Sequence, residues 1–156
     1  MRPIRSILLL SCWLISAVAW AQTGPATADS LSSLASPPAN SLSTTGGVRY
    51  VVLQPGSGAP STRVAVYYQG FLPDGRVFDS TLAPAKPLRL RVGRGEVIRG
   101  WDELLGLLPP GSRVRAWIPA HLAYGAQGVR SPDDDTRYLI PPDTDLRFDI
   151  ELLPAR

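Results

Sequence analysis

The sequence predicts an α+β domain in which one short helix packs across the concave face of a sheet. Three observations carry this. Val97, Ile98, Trp101, Leu104, Leu105 and Leu108 fall at i, i+1, i+4, i+7, i+8 and i+11, the apolar stripe of a single amphipathic helix within Gly95 to Leu108. Every other stretch beyond residue 47 reads as strand or turn, several with a period of two. Glycine and proline punctuate those stretches at the spacing of turns. A lone helix in a strand-rich chain buries its stripe against a sheet.

The elements follow in order. Val48 to Leu53 reads as a strand, closed by the turn Pro55-Gly56-Ser57-Gly58. Arg63 to Phe71 is a longer strand with Val64, Val66 and Tyr68 on one face and Ala65, Tyr67 and Gln69 on the other. Pro73-Asp74-Gly75 is a hairpin-type turn, and Val77 and Phe78 resume a strand. Asp79 to Pro87 is irregular; Leu88-Arg89-Leu90-Arg91-Val92 alternates, and Gly93-Arg94-Gly95 delivers the chain to the helix. Pro109-Pro110-Gly111 is expected to end the helix. Val114, Ala116 and Ile118 then oppose Arg113, Arg115 and Trp117, while Leu146, Phe148, Ile150 and Leu152 oppose Asp145, Arg147, Asp149 and Glu151. Such alternation describes a sheet with one buried and one wet face. The long connection from Pro119 to Pro142 carries Ala123-Tyr124-Gly125, the acidic tip Asp133-Asp134-Asp135 and Ile140-Pro141-Pro142. Connections of that length are functional or disordered.

Residues 1–21 read as a cleavable signal peptide: Arg2 and Arg5 precede an apolar run from Ile7 to Trp20, and Ala19-Trp20-Ala21 supplies the small-x-small site. The run is short for a membrane span, which takes about 20 apolar residues, so an uncleaved N-terminal anchor is the alternative. The expected location is periplasmic or secreted. Cys12 is the only cysteine, so cleavage after Ala21 leaves no thiol and no disulfide. Residues 22–46, rich in Ser, Ala, Thr, Pro and Gly, read as a flexible low-complexity linker, and 47–156 as one folded domain. A formal net charge of +3 without a Lys/Arg run gives no case for nucleic acid.

Most catalytic chemistries lack their residues. His121 is the only histidine, a weak basis for a nucleophilic triad or a zinc site. Asp133 to Asp135 lack the glycine and spaced oxygens of a calcium loop, and Gly93-x-Gly95 lacks the rest of a phosphate fingerprint. No metal and no cofactor is therefore expected. What remains is Tyr68, Phe78, Val97, Ile98, Trp101, Tyr124, Ile140 and Phe148. Each alone is ordinary core; together they can line an apolar pocket.

The runs Tyr68-Gln69-Gly70, Gly75 to Ser80, Gly95 to Trp101, Ala123-Tyr124-Gly125, Ile140-Pro141-Pro142 and Leu146 to Leu153 resemble the FKBP-type peptidyl-prolyl cis-trans isomerases, in family order, over nearly all of residues 47–153. The resemblance implies a curved antiparallel sheet of about five strands wrapped around one short helix. It implies rotation about X-Pro bonds of polypeptides, with exported folding clients as substrates and macrolides as possible inhibitors. A monomer is expected. Carried over, Tyr68, Phe78, Asp79, Val97, Ile98, Trp101, Tyr124, Ile140 and Phe148 bind substrate, with Phe78, Asp79 and Tyr124 closest to the chemistry. Trp101 forms the floor, Tyr68, Phe78 and Phe148 the walls, and the Ile98 N–H and Tyr124 hydroxyl donate to carbonyls. Leu88 replaces a common aromatic wall residue, Pro84 replaces an arginine that pairs with the aspartate, and the loop from Val129 to Leu139 is longer than in the minimal domain. These departures leave a weakly catalytic or chaperone-like peptide-binding domain as the alternative.

Overall fold

The computed structural model of the protein describes residues 36–154. The expected signal peptide, and the expected linker up to residue 35, lie outside the described residues. Among the described residues nine strands and one α-helix follow in sequence: β1 Leu42–Ser43, β2 Arg49–Gln54, β3 Arg63–Phe71, β4 Val77–Thr81, β5 Leu88–Arg91, α1 Arg99–Leu105, β6 Arg113–Ile118, β7 Val129–Arg130, β8 Tyr138–Ile140 and β9 Leu146–Leu152.

The main sheet runs β1-β2-β6-β9-β3-β4, with β5 also paired to β3, and every pairing is antiparallel. β3 explains the layout. Its first half, Arg63 to Val66, pairs with β5, and its second half, Tyr68 to Phe71, pairs with β4. Its opposite edge pairs with β9. β4 and β5 are thus two pieces of one interrupted edge, and the sheet has about five strand positions plus the two-residue β1, as the α+β expectation requires.

Alternation sets the faces. On β9, Leu146, Phe148, Ile150 and Leu152 are 1–3% exposed, whereas the residues between them are half-buried. Val114, Ala116 and Ile118 of β6 and Val66 of β3 are fully buried against Trp101, Leu104, Leu105 and Leu108. Burying each such large side chain stabilises by roughly 1.5–3 kcal/mol.

The helix is shorter than its apolar stripe. Ile98, expected inside it, is its extended N-cap residue (φ −58°, ψ 148°), and Val97 precedes it. Gly93 and Gly95 hold positive φ (76° and 67°), and their N–H groups donate to the Asp102 carboxylate at 2.9 and 3.0 Å. This clamp keeps the approaching chain out of the helix. At the other end the helix stops at Leu105 with Gly106 as cap, not at Pro109-Pro110-Gly111. Glycine's poor helix propensity falls at that cap, and Leu108 reaches the core from the turn beyond it.

Two further expectations shift. The last part of the expected linker joins the fold: β1 pairs with β2, and the Glu103 carboxylate of α1 accepts from Thr44 Oγ1 (2.9 Å) and Gly46 N (3.1 Å). Trp117 keeps its outward orientation but is only 9% exposed, flanked across the strands by Arg49 and Arg147. The long connection is also structured. Short 3-10 turns at Ala120–Leu122 and Gly125–Gln127 lead into the β7–β8 ladder, which pairs Val129 with Ile140.

Candidate active site

The inner ends of β3, β4 and β9 meet the start of α1, and four of the expected rings come together there. Trp101 stands edge-on to Tyr68 (centroids 5.0 Å, 89°) and to Phe148 (5.3 Å, 82°). Phe78 stands edge-on to Phe148 (5.6 Å, 84°), and Tyr68 lies 6.5 Å from Phe148 at a tilt. Edge-to-face pairs place the positive rim of one ring on the negative face of the next, each stabilising by about 0.5–1.5 kcal/mol beyond area burial. Trp101 and Phe148 are 3% exposed, forming the enclosed side, while Tyr68 and Phe78 are partly open.

The backbone supplies the close fit. Gly70 lies between Tyr68 and Phe71 on β3, and a Cβ there would meet Phe78 Cζ at 2.6 Å and Phe148 Cε1 at 2.8 Å. Only glycine lets both rings lie on the strand. Sequence reasoning treated Gly70 as part of a motif without a role; a glycine inside an alternating strand is the signal that marks close approach.

Polar groups ring this cluster. Tyr68 donates its hydroxyl to Asp79 Oδ2 at 2.6 Å. Burial, that hydrogen bond and the Asp79 charge push the Tyr68 phenol above its ordinary range. The Tyr124 phenol is also raised, first by burial and then by the Asp79 charge, which places Tyr124 in the same electrostatic neighbourhood. Both phenols therefore remain proton donors through neutral and mildly alkaline pH. Asp79, on β4, forms no ion pair among the described residues; its side-chain partner is the Tyr68 hydroxyl of the neighbouring β3.

Ile98 ends the approach to α1. Its carbonyl accepts from Trp101 N (2.9 Å) and Asp102 N (3.3 Å), while its own N–H has no protein acceptor among the described residues. The Trp101 indole Nε1 is buried, and it too has no acceptor there. An unmatched buried donor costs roughly 1–3 kcal/mol. Val97 and Ile98 pack partly buried against the core beside it. Ile140, 2% exposed, belongs to the core and anchors the β7–β8 hairpin. Gly128 fits directly against the Ile140 carbonyl, and its N–H donates to the Tyr124 carbonyl at 3.2 Å, so Tyr124 and Ile140 are linked through one tight turn.

Asp102 was not among the expected site residues. Its clamp on Gly93 and Gly95 sets the path of the chain that carries Val97 and Ile98. An acidic residue in a first helical turn, a few positions after a Gly-x-Gly pair, was the available signal. Two clefts of about 380 and 800 Å³ also lie on the molecule, and none of the expected site residues lines either. Among the described residues no group of three His, Cys, Asp or Glu side chains is placed to hold a metal ion.

Comparison with known proteins bears on this geometry. Residues 55–153 match the model of the FKBP-type peptidyl-prolyl cis-trans isomerase family. The chain is 40% identical over 111 residues to the peptidyl-prolyl cis-trans isomerase Fkbp12 of Drosophila melanogaster, an alignment covering 69% of this chain and 96% of that protein. It superposes on the crystal structure of AtFKBP13 with a TM-score of 0.65 at 32% identity, over 74% of this chain and 98% of that one. Its superposition on a peptidyl-prolyl cis-trans isomerase from Pseudomonas syringae pv. tomato has a TM-score of 0.63 at 34% identity, over 80% and 87% of the two chains.

Proposed function

This chain belongs to the FKBP-type peptidyl-prolyl cis-trans isomerases, and we propose that the rings of Tyr68, Phe78, Trp101 and Phe148 hold the proline of its substrate. The observation that carries the reading is the pairing of an enclosed ring cluster with an uncommitted donor, the Ile98 N–H. A sealed core has no use for such a donor; a peptide carbonyl does. Asp79, Tyr124, Val97 and Ile140 complete the proposed binding set, with Phe78, Asp79 and Tyr124 acting closest to the turning bond.

No bond is made or broken in this reaction. Amide resonance sets a barrier of about 18–20 kcal/mol to rotation, and uncatalysed X-Pro exchange takes roughly tens to hundreds of seconds. At the twisted transition state the C–N bond loses double-bond character and the carbonyl loses charge separation. An apolar ring-lined site disfavours the more polar planar form relative to the twisted one. Donation from Ile98 N–H and the Tyr124 hydroxyl holds one part of the peptide while the prolyl bond turns. Lowering the barrier by about 5–6 kcal/mol gives roughly 10⁴-fold acceleration. No proton is transferred, so activity is level from mildly acidic to mildly alkaline pH.

The biological setting is part of the same proposal. Arg2, Arg5, the apolar run Ile7 to Trp20 and Ala19-Trp20-Ala21 support export, with a linker from residue 22 that ends before β1 and an isomerase domain that includes β1, Thr44 and Gly46. Exported Pro-containing chains are then the clients, and the kinship to FK506-binding proteins of Debaryomyces hansenii and Neisseria meningitidis supports macrolide binding at the same rings. An isomerase assay on X-Pro peptides with a macrolide arm tests this. Phe78→Ala and Asp79→Ala are expected to lower kcat/KM tenfold or more. Tyr124→Phe, which removes one neutral hydrogen bond, should lower it about 2- to 10-fold. Full activity in all three variants would refute the site.

A further inference from the structure

The outer face of β3 and β5 carries positive charge that the linear sequence does not display. Val66 and Leu90 are buried, so the alternating residues Arg63, Ala65 and Tyr67 of β3 and Arg89 and Arg91 of β5 share the opposite face. The register sets Arg63 directly opposite Arg91 and Ala65 opposite Arg89. Three exposed guanidinium groups thus converge, and the cleft of about 800 Å³ that they line also takes in Tyr67, Glu96 and Leu153. The ion pairs among the described residues join Arg76 to Asp74, Arg113 to Glu151 and Arg115 to Asp149; none neutralises Arg63, Arg89 or Arg91. Like charges directly across a ladder are destabilising.

The shape of the cleft narrows the class of partner. A concave site suits a chain, whereas a flat lipid surface would meet only its rim. Tyr67 is the only aromatic residue lining it, and its hydroxyl is engaged with the Ala85 carbonyl at 3.0 Å, so it offers no row of stacking platforms for bases. Arg89 and Arg91 are two residues apart on an extended strand, a repeat of about 6.6 Å. An extended Glu-x-Glu segment presents its carboxylates at the same repeat, and guanidinium forks bind carboxylates bidentately. β5 pairs on one side only, with β3. The open edge also takes a carboxylate on its main chain: Glu96 Oε2 accepts the Arg91 backbone N–H at 2.9 Å, which leaves the Arg91 guanidinium clear of that contact.

We propose that this cleft binds an extended acidic polypeptide segment, with alternate carboxylates on Arg89 and Arg91 and a third on Arg63. The surface is separate from the ring cluster and does not depend on the isomerase site.

The test uses the full chain and a fluorescein-labelled, proline-free peptide of alternating Glu and Ser, with a Gln-Ser peptide of equal length as control, read by anisotropy. The Glu peptide should bind and the Gln peptide should not. Raising the salt to about 0.5 M should abolish binding, because these exposed charges are then screened over a few ångströms. Arg89→Glu and Arg91→Glu should each weaken it about tenfold, and Arg89→Gln by less, while isomerase activity on a neutral Pro peptide stays at the parent level and shows the variants folded. Equal binding of the Gln peptide, or full affinity in the Arg89 and Arg91 variants, would overturn the proposal. So would tighter, Arg89-dependent binding of duplex DNA or anionic vesicles. Because the probe contains no proline, a failure here is distinguishable from a failure of the isomerase site.

Discussion

Gly70 is the position at which one carbon atom separates a working ring cluster from a blocked one. Alanine there places a methyl against Phe78 Cζ and Phe148 Cε1, and the backbone on that side cannot yield without moving the β3–β9 ladder. Gly70→Ala is expected to destabilise the protein by about 1–3 kcal/mol and to lower isomerase activity, measured by urea unfolding and peptide assay. Retained activity with unchanged stability would show that the rings accommodate the methyl. The two tyrosines make a different prediction. Both phenols are raised in the folded protein above the ordinary 10.0, Tyr68 chiefly by burial and then by Asp79, Tyr124 by burial and then by the Asp79 charge. The unfolded chain therefore loses these protons first as pH rises. Stability from these groups is fully present below about pH 10 and declines above it. Urea midpoints from pH 8 to 11 should be level on their account up to roughly pH 10 and then fall, and Tyr68→Phe should flatten the alkaline fall. At this scale the sequence was informative about the rings, because alternation puts Tyr68 and Phe148 on inner faces. It did not give the hydroxyl partner of Asp79, which depends on the β3–β4 register, nor the close ring contacts that reserve position 70 for glycine.

The helix and the segment before it show where periodicity misleads. Val97 and Ile98 satisfy the spacing of an amphipathic stripe, yet they lie outside α1 because Asp102 ties the Gly93 and Gly95 N–H groups into a turn. Apolar spacing reports which residues face the core and cannot tell a helical turn from an extended segment that packs on the same side. Asp102 is thus a positioning residue for the Ile98 donor. Asp102→Ala should cost about 1–2 kcal/mol of stability and raise KM more than it lowers kcat, since the donor is no longer held in place before substrate arrives. Asp102→Asn, which keeps one acceptor oxygen, should recover part of the KM. Equal falls in kcat and kcat/KM with KM unchanged would place Asp102 in the chemistry instead. β9 is the opposite case: seven residues of clean alternation were enough to give its faces, because it is central and paired on both edges. The arginine cleft was illegible for the converse reason. Arg63 lies far along the chain from Arg89 and Arg91, and only the β3–β5 register brings them together.

For the whole molecule, the boundary at which the domain begins matters most. Composition favoured a start near residue 47, because Ser, Thr and Gly dominate up to that point. Composition does not see that Thr44 is 8% exposed or that Thr44 and Gly46 supply the hydrogen bonds of the Glu103 carboxylate. A chain trimmed to begin at residue 47 should be less stable by about 1–3 kcal/mol than one that begins at residue 36, because Glu103 loses both donors. Thermal or urea unfolding of the two proteins checks this, and equal midpoints would show the contact to be dispensable. The trimmed chain also loses β1. Leu42 and Ser43 occupy the outer edge of β2 opposite Tyr50 and Arg49, and the register shift between Val52 and Gln54 breaks the regularity of the remainder. Without β1, a longer run of unpaired N–H and C=O groups stands next to exposed Val52 and Leu53, the template on which one sheet extends into another. Two residues that look like the end of a linker are therefore an edge guard, and their removal should show up first as concentration-dependent aggregation.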